Sequence, residues 1–109
     1  MLALLAVFAI VSCGKGDLAG TEWVCATNNS TISFESRAGG HYYYTAYNFA
    51  GEPYDAVADF AYHYDGNANG EMNVRGYTSG CIIDNYTWAF TVTGYELKLS
   101  KDTMTFTRK

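Results

Sequence analysis

Residues 87–99 read TWAFTVTGYELKL, and this stretch decides the fold class. Large apolar side chains recur at every second position before and after a Thr-Gly pair at residues 93–94. A period of two is typical of a β-strand with one buried and one hydrated face, and a Gly between two such runs favours a tight turn. The stretch therefore predicts two antiparallel strands joined in a hairpin.

The same alternation and the same kind of turn recur along the chain. Strands are expected within residues 21–26, 31–35, 41–47, 56–64, 71–74, 87–92, 95–99 and 103–107. This spacing, about one strand per 12 residues, is typical of an all-β sandwich or barrel, and short connections favour a meander of hairpins. We expect a small antiparallel meander β-barrel of about eight strands, since closure removes exposed strand edges.

Composition limits both the size and the partners of this domain. The chain has 109 residues, a formal net charge of −4, ten Tyr, 11 Gly and one Pro. Aromatic residues favour strands and Gly favours turns, which fits the predicted barrel. Because no basic stripe is present to neutralise phosphates, nucleic-acid binding is not expected.

The first residues are typical of an export signal. Residues 2–11 are wholly apolar, and no charged side chain precedes Lys15. Such a run is too short to span a bilayer, which needs about 20 residues, but it matches the apolar region of a signal peptide. Residues 10–14, Ile-Val-Ser-Cys-Gly, resemble the bacterial lipobox. This resemblance implies cleavage before Cys13 and lipidation of Cys13, whereas a secretory signal with an incidental Cys is the alternative.

These features divide the chain into three parts. We predict a lipoprotein signal peptide at residues 1–12, a lipidated N-terminus and tether at residues 13–20, and the β-barrel domain at residues 21–109. The mature part is long enough for one domain. Two or three acyl chains would hold it on a membrane, since each buried CH₂ contributes about 0.8 kcal/mol.

The residues after Cys13 bear on the location of the protein in the cell. Lys15, Gly16 and Asp17 partly resemble the Lys-plus-acidic sequence that directs surface display of Bacteroidetes lipoproteins. We expect a location in the cell envelope, as an outer-membrane lipoprotein on the periplasmic face or on the cell surface.

Cys25 and Cys81 are the two thiols that remain once Cys13 is lipidated. An exported protein meets an oxidising environment, which favours a Cys25–Cys81 disulfide. Such a bridge would close a loop of about 56 residues and stabilise the fold by about 4 kcal/mol in the chain-entropy model. The alternative is that both are buried free thiols, which act as small apolar side chains.

A family resemblance extends the prediction of a barrel. Residues 18–23 read LAGTEW and are followed by TISF at residues 31–34 and HYYY at residues 41–44. This pattern is similar to the lipocalin-like lipoproteins of Bacteroidetes, with one residue inserted between Thr21 and Trp23. The resemblance implies a lipocalin-like barrel that binds a ligand, with Trp23 at the floor of the barrel.

Tyr residues are concentrated in the strands of the first half of the chain. Because side chains alternate, Tyr42 and Tyr44 are expected to point away from the face that carries Tyr43 and Tyr47. The inward rings either line a cavity for a small hydrophobic or amphipathic ligand or simply fill a narrow barrel. An exposed Tyr patch that contacts a protein or a glycan is a third alternative. The candidate contact residues for a ligand or partner are Tyr42, Tyr44, Tyr62, Tyr64 and Trp88.

Residues 65–71, DGNANGE, match the first half of a calcium-binding EF-hand loop. Asp65, Asn67 and Asn69 are the candidate ligands, but a plain hairpin loop explains the same residues equally well. His41 and His63 are the only imidazoles, and neither has the ligand spacing of a zinc site. No hydroxyl lies in a nucleophile motif, so neither an enzyme nor a cofactor or metal ion is expected.

These features together predict a lipid-anchored extracytoplasmic binding protein with a lipocalin-like barrel and an unidentified ligand. The alternative is a protein inhibitor of a basic secreted hydrolase such as lysozyme. Small acidic barrel lipoproteins inhibit such enzymes, and residues 77–80, Tyr-Thr-Ser-Gly, resemble the Ser-Gly loop that they insert.

Overall fold

The structure is a computed structural model, which describes residues 18–79, 82–101 and 104–109. These residues form eight strands: β1 (Thr21–Cys25), β2 (Ser30–Phe34), β3 (Gly39–Tyr47), β4 (Pro53–Tyr64), β5 (Asn69–Ser79), β6 (Ile82–Thr93), β7 (Glu96–Leu99) and β8 (Thr105–Arg108). Each strand runs antiparallel to the next, and the sheet closes into a barrel. The predicted all-β meander barrel is confirmed, and the architecture is consistent with a lipocalin-like fold. In the described ranges, no helix has the length and apolar character needed to cross a membrane.

Pairing of the first strand with the last closes the sheet. Trp23 of β1 lies opposite Arg108 of β8, and Val24 lies opposite Thr107. The backbone groups of the two terminal strands therefore have partners on both sides along these residues. Closure of this kind removes the exposed edges that would otherwise pair with other chains.

The barrel interior is filled by side chains from every strand. The ring centroid of Phe34 lies 5.5 Å from that of Phe60, 4.8 Å from that of Tyr62 and 5.8 Å from that of Phe90. Gly70 is needed beside this group, because a Cβ at this position would overlap the ring of Phe90. The largest fully buried side chains are Trp23, Tyr42, Phe34, Phe90, Phe106, Ile32, Met72, Leu97, Leu99 and Val74. The filled-barrel interpretation therefore describes most of the interior.

The strands differ in length, which makes the barrel asymmetric. Strands β3 to β6 have 9, 12, 11 and 12 residues, whereas β1, β2, β7 and β8 have 5, 5, 4 and 4. Pairing of β3 with β2 stops at Tyr43, and pairing of β6 with β7 starts at Phe90. Residues 44–47 thus extend roughly 13 Å beyond β2, at about 3.3 Å per residue. We call β3 to β6 the long-strand wall and the other four strands the short-strand wall.

The two ends of the barrel carry different segments of the chain. The mouth end, towards which the long-strand wall projects, carries the connections at residues 26–29 and 48–52 and the described residues 100, 101 and 104 that follow β7 and precede β8. The N-terminal end carries Leu18, whose side chain is buried in the core. The side chain of Leu18, a residue of the predicted tether, therefore packs against the barrel core.

Most strands differ in extent from the sequence-based expectation; for example, β6 starts at Ile82 rather than at residue 87, and β4 starts at Pro53 rather than at residue 56. The predicted strand at residues 71–74 continues to Ser79, because a register shift after Val74 interrupts the alternation without ending the strand. The predicted strand at residues 95–99 starts one residue later, since Tyr95 lies exposed in the turn between β6 and β7.

Candidate ligand site at the barrel mouth

The candidate site is a pocket at the step between the two walls, with a volume of about 370 Å³. The long-strand wall contributes Tyr42, Tyr44, Thr45, Tyr47 and Tyr77. The short-strand wall and its connections contribute Thr27, Asn28, Ser30, Lys101 and Met104. The pocket exists because β3 to β6 extend past the strands opposite them, which leaves part of their inner face accessible. We call it the mouth pocket.

A β-bulge turns the side chain of Tyr77 into the mouth pocket. The register between β5 and β6 shifts between Val74, which points inward, and Tyr77. Gly76 lies in this bulge with a φ of 70°, a left-handed conformation that Gly adopts without strain. Its amide donates a hydrogen bond to the Asn85 Oδ1 at 3.0 Å. Strict alternation would place residue 77 on the outer face, so the bulge re-aims this side chain.

Tyr77 lies at the centre of an aromatic cluster. Its ring centroid is 6.0 Å from that of Tyr42, 4.7 Å from Tyr44, 5.8 Å from Tyr86 and 5.0 Å from Trp88. The Tyr86 and Trp88 rings meet it edge-to-face, at 87° and 84°. Aromatic pairs in this geometry contribute about 0.5–1.5 kcal/mol beyond their burial. The cluster thus holds Tyr77 in one orientation.

The hydroxyl groups of the buried Tyr residues are fixed by hydrogen bonds. The Tyr44 hydroxyl accepts a hydrogen bond from the Thr78 amide at 2.8 Å. The Tyr42 hydroxyl shares a hydrogen bond with that of Ser30, which is also buried. Burial raises the pKa of Tyr42, against the lowering effect of the Ser30 hydrogen bond and the Lys101 ammonium. Tyr42 is therefore a neutral hydroxyl at physiological pH.

Lys101 brings a positive charge to the rim of the mouth pocket. It lies in the connection between β7 and β8, and its Nζ is 5.3 Å from the Tyr77 ring centroid and 5.0 Å from that of Trp88. An ammonium at this distance from a ring face is attracted by the negative centre of the ring. Among the described residues that line the pocket, Lys101 is the only charged side chain.

The structure separates the predicted contact residues between the two ends of the barrel. Those at the mouth end are Tyr42, Tyr44 and Trp88. Tyr62 and Tyr64 lie at the N-terminal end, where the Tyr62 hydroxyl donates to the Ser36 carbonyl at 2.6 Å and Tyr64 stacks on Phe90. These two residues therefore do not belong to the mouth pocket.

The predicted alternation in β3 is confirmed and explains which rings reach the pocket. Tyr42 and Tyr44 are 2 % and 6 % exposed, whereas Tyr43 and Tyr47 are 45 % and 54 % exposed. Tyr43 lies on the outer surface. Tyr47 lies at the end of β3 and still contributes to the pocket rim.

Sequence reasoning did not place Tyr77 or Lys101 in a site with the other Tyr residues. It assigned residues 77–80 to an inserted loop, but residues 77–79 belong to β5, and Gly80 lies outside the described residues. A usable signal was present at Gly76, because an isolated Gly within a strand pattern often marks a bulge. Nothing in the local sequence indicates where Lys101 points.

The candidate calcium loop is a hairpin connection closed by its own Asp. The Asp65 Oδ1 accepts hydrogen bonds from the amides of Asn67, Ala68 and Asn69 at 2.8, 2.9 and 3.0 Å. These hydrogen bonds lower the pKa of Asp65. Within the described part of the chain, no three His, Cys, Asp or Glu residues are grouped so as to hold a metal ion. The structure thus shows Asp65 closing a hairpin connection, and calcium binding by Asp65, Asn67 and Asn69 stays a prediction.

The imidazoles and the described thiol do not line the mouth pocket. The His41 Nδ1 lies 2.7 Å from the Glu35 Oε2 on the surface, and His63 is exposed on β4. Cys25 is buried, with 4 % of its surface exposed, which both alternatives for this residue allow. Cys13 and Cys81 lie outside the described residues, so lipidation and the disulfide stay predictions.

Comparison of the chain with protein-family models, with curated proteins and with solved structures finds no match. The likeness to lipocalin-like proteins is therefore one of architecture, carried by the order and direction of the eight strands in the described residues. What the protein binds has to be inferred from the mouth pocket.

The variant Asp65→Asn tests the role of the hairpin carboxylate, since it keeps an acceptor oxygen and removes the charge. A lowered folded-state pKa means that the carboxylate stabilises the fold above its unfolded-state pKa. This stabilisation is lost as the pH falls through the folded-state pKa, below about pH 4. We expect the wild type to melt at a higher temperature than the variant at pH 7 and to lose this advantage at low pH. Thermal melting followed by circular dichroism measures the difference in melting temperature between the wild type and the variant. A difference that does not change with pH would contradict this expectation.

Replacement of Gly76 tests the bulge that aims Tyr77. Gly76→Ala should lower the free energy of unfolding by about 1–2 kcal/mol, because a Cβ is strained in the left-handed conformation. Steric overlap is not the cause, since no atom lies within 4 Å of a Cβ placed there. Gly76→Asn should cost less, because Asn tolerates this conformation. Urea denaturation measures both, and an Ala variant as stable as the wild type would show that the bulge is absent.

Proposed function

We propose that this protein is a lipid-anchored binding protein of the cell envelope that holds a small ligand in the mouth pocket. The step between the two walls is the observation that carries this proposal. Most of the barrel is filled by side chains, whereas the step has a pocket of about 370 Å³. This volume lies in the range of small-molecule sites, about 300–1,000 Å³, and barrel mouths are a common place for them.

The mouth pocket is organised before a ligand arrives, which supports a binding role. The bulge at Gly76 fixes the direction of Tyr77, and the surrounding rings fix its orientation. The hydrogen bond from the Thr78 amide fixes the Tyr44 hydroxyl. A site whose groups are already ordered loses less conformational entropy when it binds.

The position of Leu18, the first described residue, suits attachment of the barrel to a membrane. Leu18 lies at the N-terminal end of the barrel, opposite the mouth pocket. Residues 13–17 precede it, and a segment of five residues spans at most about 18 Å. An anchor on Cys13 would therefore hold the N-terminal end close to the bilayer and direct the mouth pocket away from it.

The side chains of the pocket support binding rather than catalysis. The described lining consists of hydroxyl groups, one amide, one thioether and one ammonium group. It contains neither a carboxylate nor an imidazole, which are the usual general acids and bases. We therefore propose a binding protein without an enzymatic reaction.

Removal of the Tyr77 side chain tests this function. Native mass spectrometry of the lipidated protein, purified from its own cell envelope, should show a bound small molecule. Tyr77→Ala should lower its occupancy by about tenfold or more, because the variant loses the central ring of the pocket. The matched control is Tyr95→Ala, since Tyr95 is exposed in a turn at the N-terminal end. A wild-type protein without ligand, or a Tyr77→Ala variant that keeps it, would overturn the proposal.

Exposed apolar side chains at the mouth end favour a second candidate function, inhibition of a basic secreted hydrolase such as lysozyme. Phe49 is 93 % exposed, and Ile82 and Ile83 are 63 % and 71 % exposed. Among the described residues at this end, Glu52, Asp55 and Asp84 are exposed acidic side chains. Apolar anchors beside charges of one sign are typical of a surface that binds a protein of the opposite charge.

Enzyme inhibition assays with the lipidated protein test this second candidate. Phe49→Ser and Asp84→Asn should each raise the inhibition constant against lysozyme by about tenfold, since each removes an anchor or a charge from the interface. Glu71→Gln should leave it unchanged, because Glu71 is exposed on β5 towards the N-terminal end. A wild-type protein that fails to inhibit at large excess would remove this candidate.

A further inference from the structure

We propose that this protein binds an extended basic peptide segment, which adds to the free edge of β4 as a further strand. The carrying observation is the early end of the ladder between β4 and β5. The two strands pair only as far as Asp59 and Arg75, although both continue towards the mouth end, β4 to Pro53 and β5 to Ser79. The inference goes beyond the proposed ligand site, because it assigns a second site with a different class of partner.

The long-strand wall divides into two arms beyond the last pair between β4 and β5. We call residues 42–58 the β3–β4 arm, residues 76–79 and 82–85 the β5–β6 arm, and the space between the arms the notch. The bulge at Gly76 lies where the wall divides, and a bulge bends the strand that carries it. In the β3–β4 arm, all of whose residues the structure describes, β4 therefore has a strand partner on the β3 side only.

The register identifies which backbone groups of β4 face the notch. The Tyr62 amide donates a hydrogen bond to the Ala38 carbonyl at 3.0 Å, on the β3 side of β4. In an antiparallel strand, the N–H and C=O groups of successive residues point to opposite sides. The backbone groups of Val57 and Asp55 therefore point away from β3 and into the notch. Pro53, which has no N–H group, ends this free edge.

Tyr44 closes the inner side of the notch and satisfies the edge of β5. It lies opposite Ala56 in the ladder between β3 and β4, and its hydroxyl accepts a hydrogen bond from the Thr78 amide at 2.8 Å. The Tyr44 side chain thus reaches from β3 across β4 to β5, which the small side chains of Ala56 and Ala58 permit. Because the Thr78 amide has this partner, the edge of β4 is the one that an added strand can use.

A free strand edge can accept an extended segment from another chain. The segment forms main-chain hydrogen bonds with the edge, and its side chains lie alternately over the two faces of the sheet. On the outer face of this edge lie Asp55 and Val57, of which Val57 is 54 % exposed. On the inner face lie Ala56 and Tyr54, of which Tyr54 is 44 % exposed. A segment that alternates basic and apolar residues fits both faces, with its basic residues on the outside.

The charge of the two arms favours a basic partner. No Lys, Arg or His occurs in the sequence of residues 42–58 or 76–85. The acidic residues of the arms, all exposed, are Glu52, Asp55 and Asp84. At the base of the notch, the Arg75 Nη2 lies 2.6 Å from the Asp59 Oδ2 and is paired with it. Lys101 belongs to the opposite wall and lies over inner rings of the barrel. A basic side chain in the notch would therefore meet carboxylates on both arms, and complementary charge favours encounter and fixes register.

Amide hydrogen exchange of the lipidated protein in micelles of a non-ionic detergent tests this inference. In the free protein, the amides of Val57 and Asp55 should exchange fast, since no strand covers them. The acetylated and amidated peptide Val-Lys-Val-Lys-Val, at saturation, should slow the exchange of both by about tenfold or more, because its carbonyls accept their hydrogen bonds. The amide of Ala58, which faces β3, should exchange slowly throughout.

Modified peptides separate the contribution of the backbone from that of the charge. Val-Glu-Val-Glu-Val keeps the length and the strand preference but reverses the charge, so it should bind about tenfold more weakly. Two further peptides carry N-methyl groups at alternate nitrogen atoms of the basic sequence, in one phase or the other. The peptide whose methyl groups face β4 should bind about tenfold more weakly than the parent, because it loses the main-chain hydrogen bonds, whereas the other should bind as the parent does.

Charge-reversal variants provide the matched comparison. Asp55→Lys should reduce the preference for the basic peptide to about threefold or less, because it places a positive charge on the edge. Glu71→Lys should keep the preference, since Glu71 is exposed on β5 towards the N-terminal end. Val57→Pro should abolish binding, because it removes an N–H group from the edge. That N–H points away from β3, so the ladder between β3 and β4 keeps its hydrogen bonds, and circular dichroism checks the fold.

Three results would overturn the inference. They are unchanged exchange at Val57 in the presence of the basic peptide, equal binding of the basic and acidic peptides, and equal binding of the parent and both methylated peptides. Exchange at Val57 that slows with rising protein concentration, without any peptide, would show a second copy at this edge and would also overturn it. These measurements do not involve Tyr77 or a bound small molecule, so their outcome is independent of the test of the proposed function.

Discussion

Pairing of β1 with β8 is the interaction on which the rest of the structure depends. It sets Trp23 and Val24 opposite Arg108 and Thr107 and so turns a meander of eight described strands into a closed barrel. Closure places four short strands opposite four long ones. The inner face of the long strands then has no opposite wall at the mouth end, and the mouth pocket forms there. The position of the pocket is thus set by strand length and closure rather than by a dedicated binding loop.

The Tyr residues of this protein fill the barrel and also line the proposed ligand site. At the N-terminal end, Tyr62 packs on Phe34 and satisfies its hydroxyl with a backbone carbonyl. At the mouth end, Tyr42, Tyr44 and Tyr77 pack their rings against one another, and all three residues line the pocket. A Tyr side chain allows this combination because it has a large apolar body and a polar tip. The described barrel is therefore filled and still offers a polar site.

The sequence predicts the barrel more fully than it predicts the site. Strict alternation, as in β6, identifies which side chains point inward, because a strand with one buried face has a period of two. The position of Tyr77 could not be read from this period, since the bulge at Gly76 reverses the parity of β5. Alternation also does not show that Tyr62 and Tyr42 lie towards opposite ends, because it gives the face of a strand but not the end of the barrel at which a residue lies. Lys101 was missed because its position depends on the fold of a connection.

Nuclear Overhauser contacts between β1 and β8 test the closed barrel most directly. If the sheet closes as described, backbone protons of Val24 and Thr107 lie within a few ångströms of each other, as in any antiparallel pair. The account predicts cross-peaks between these two residues, together with slow amide exchange in both strands. Cross-peaks within every other strand pair but none between β1 and β8 would show an open sheet, without the step that forms the mouth pocket.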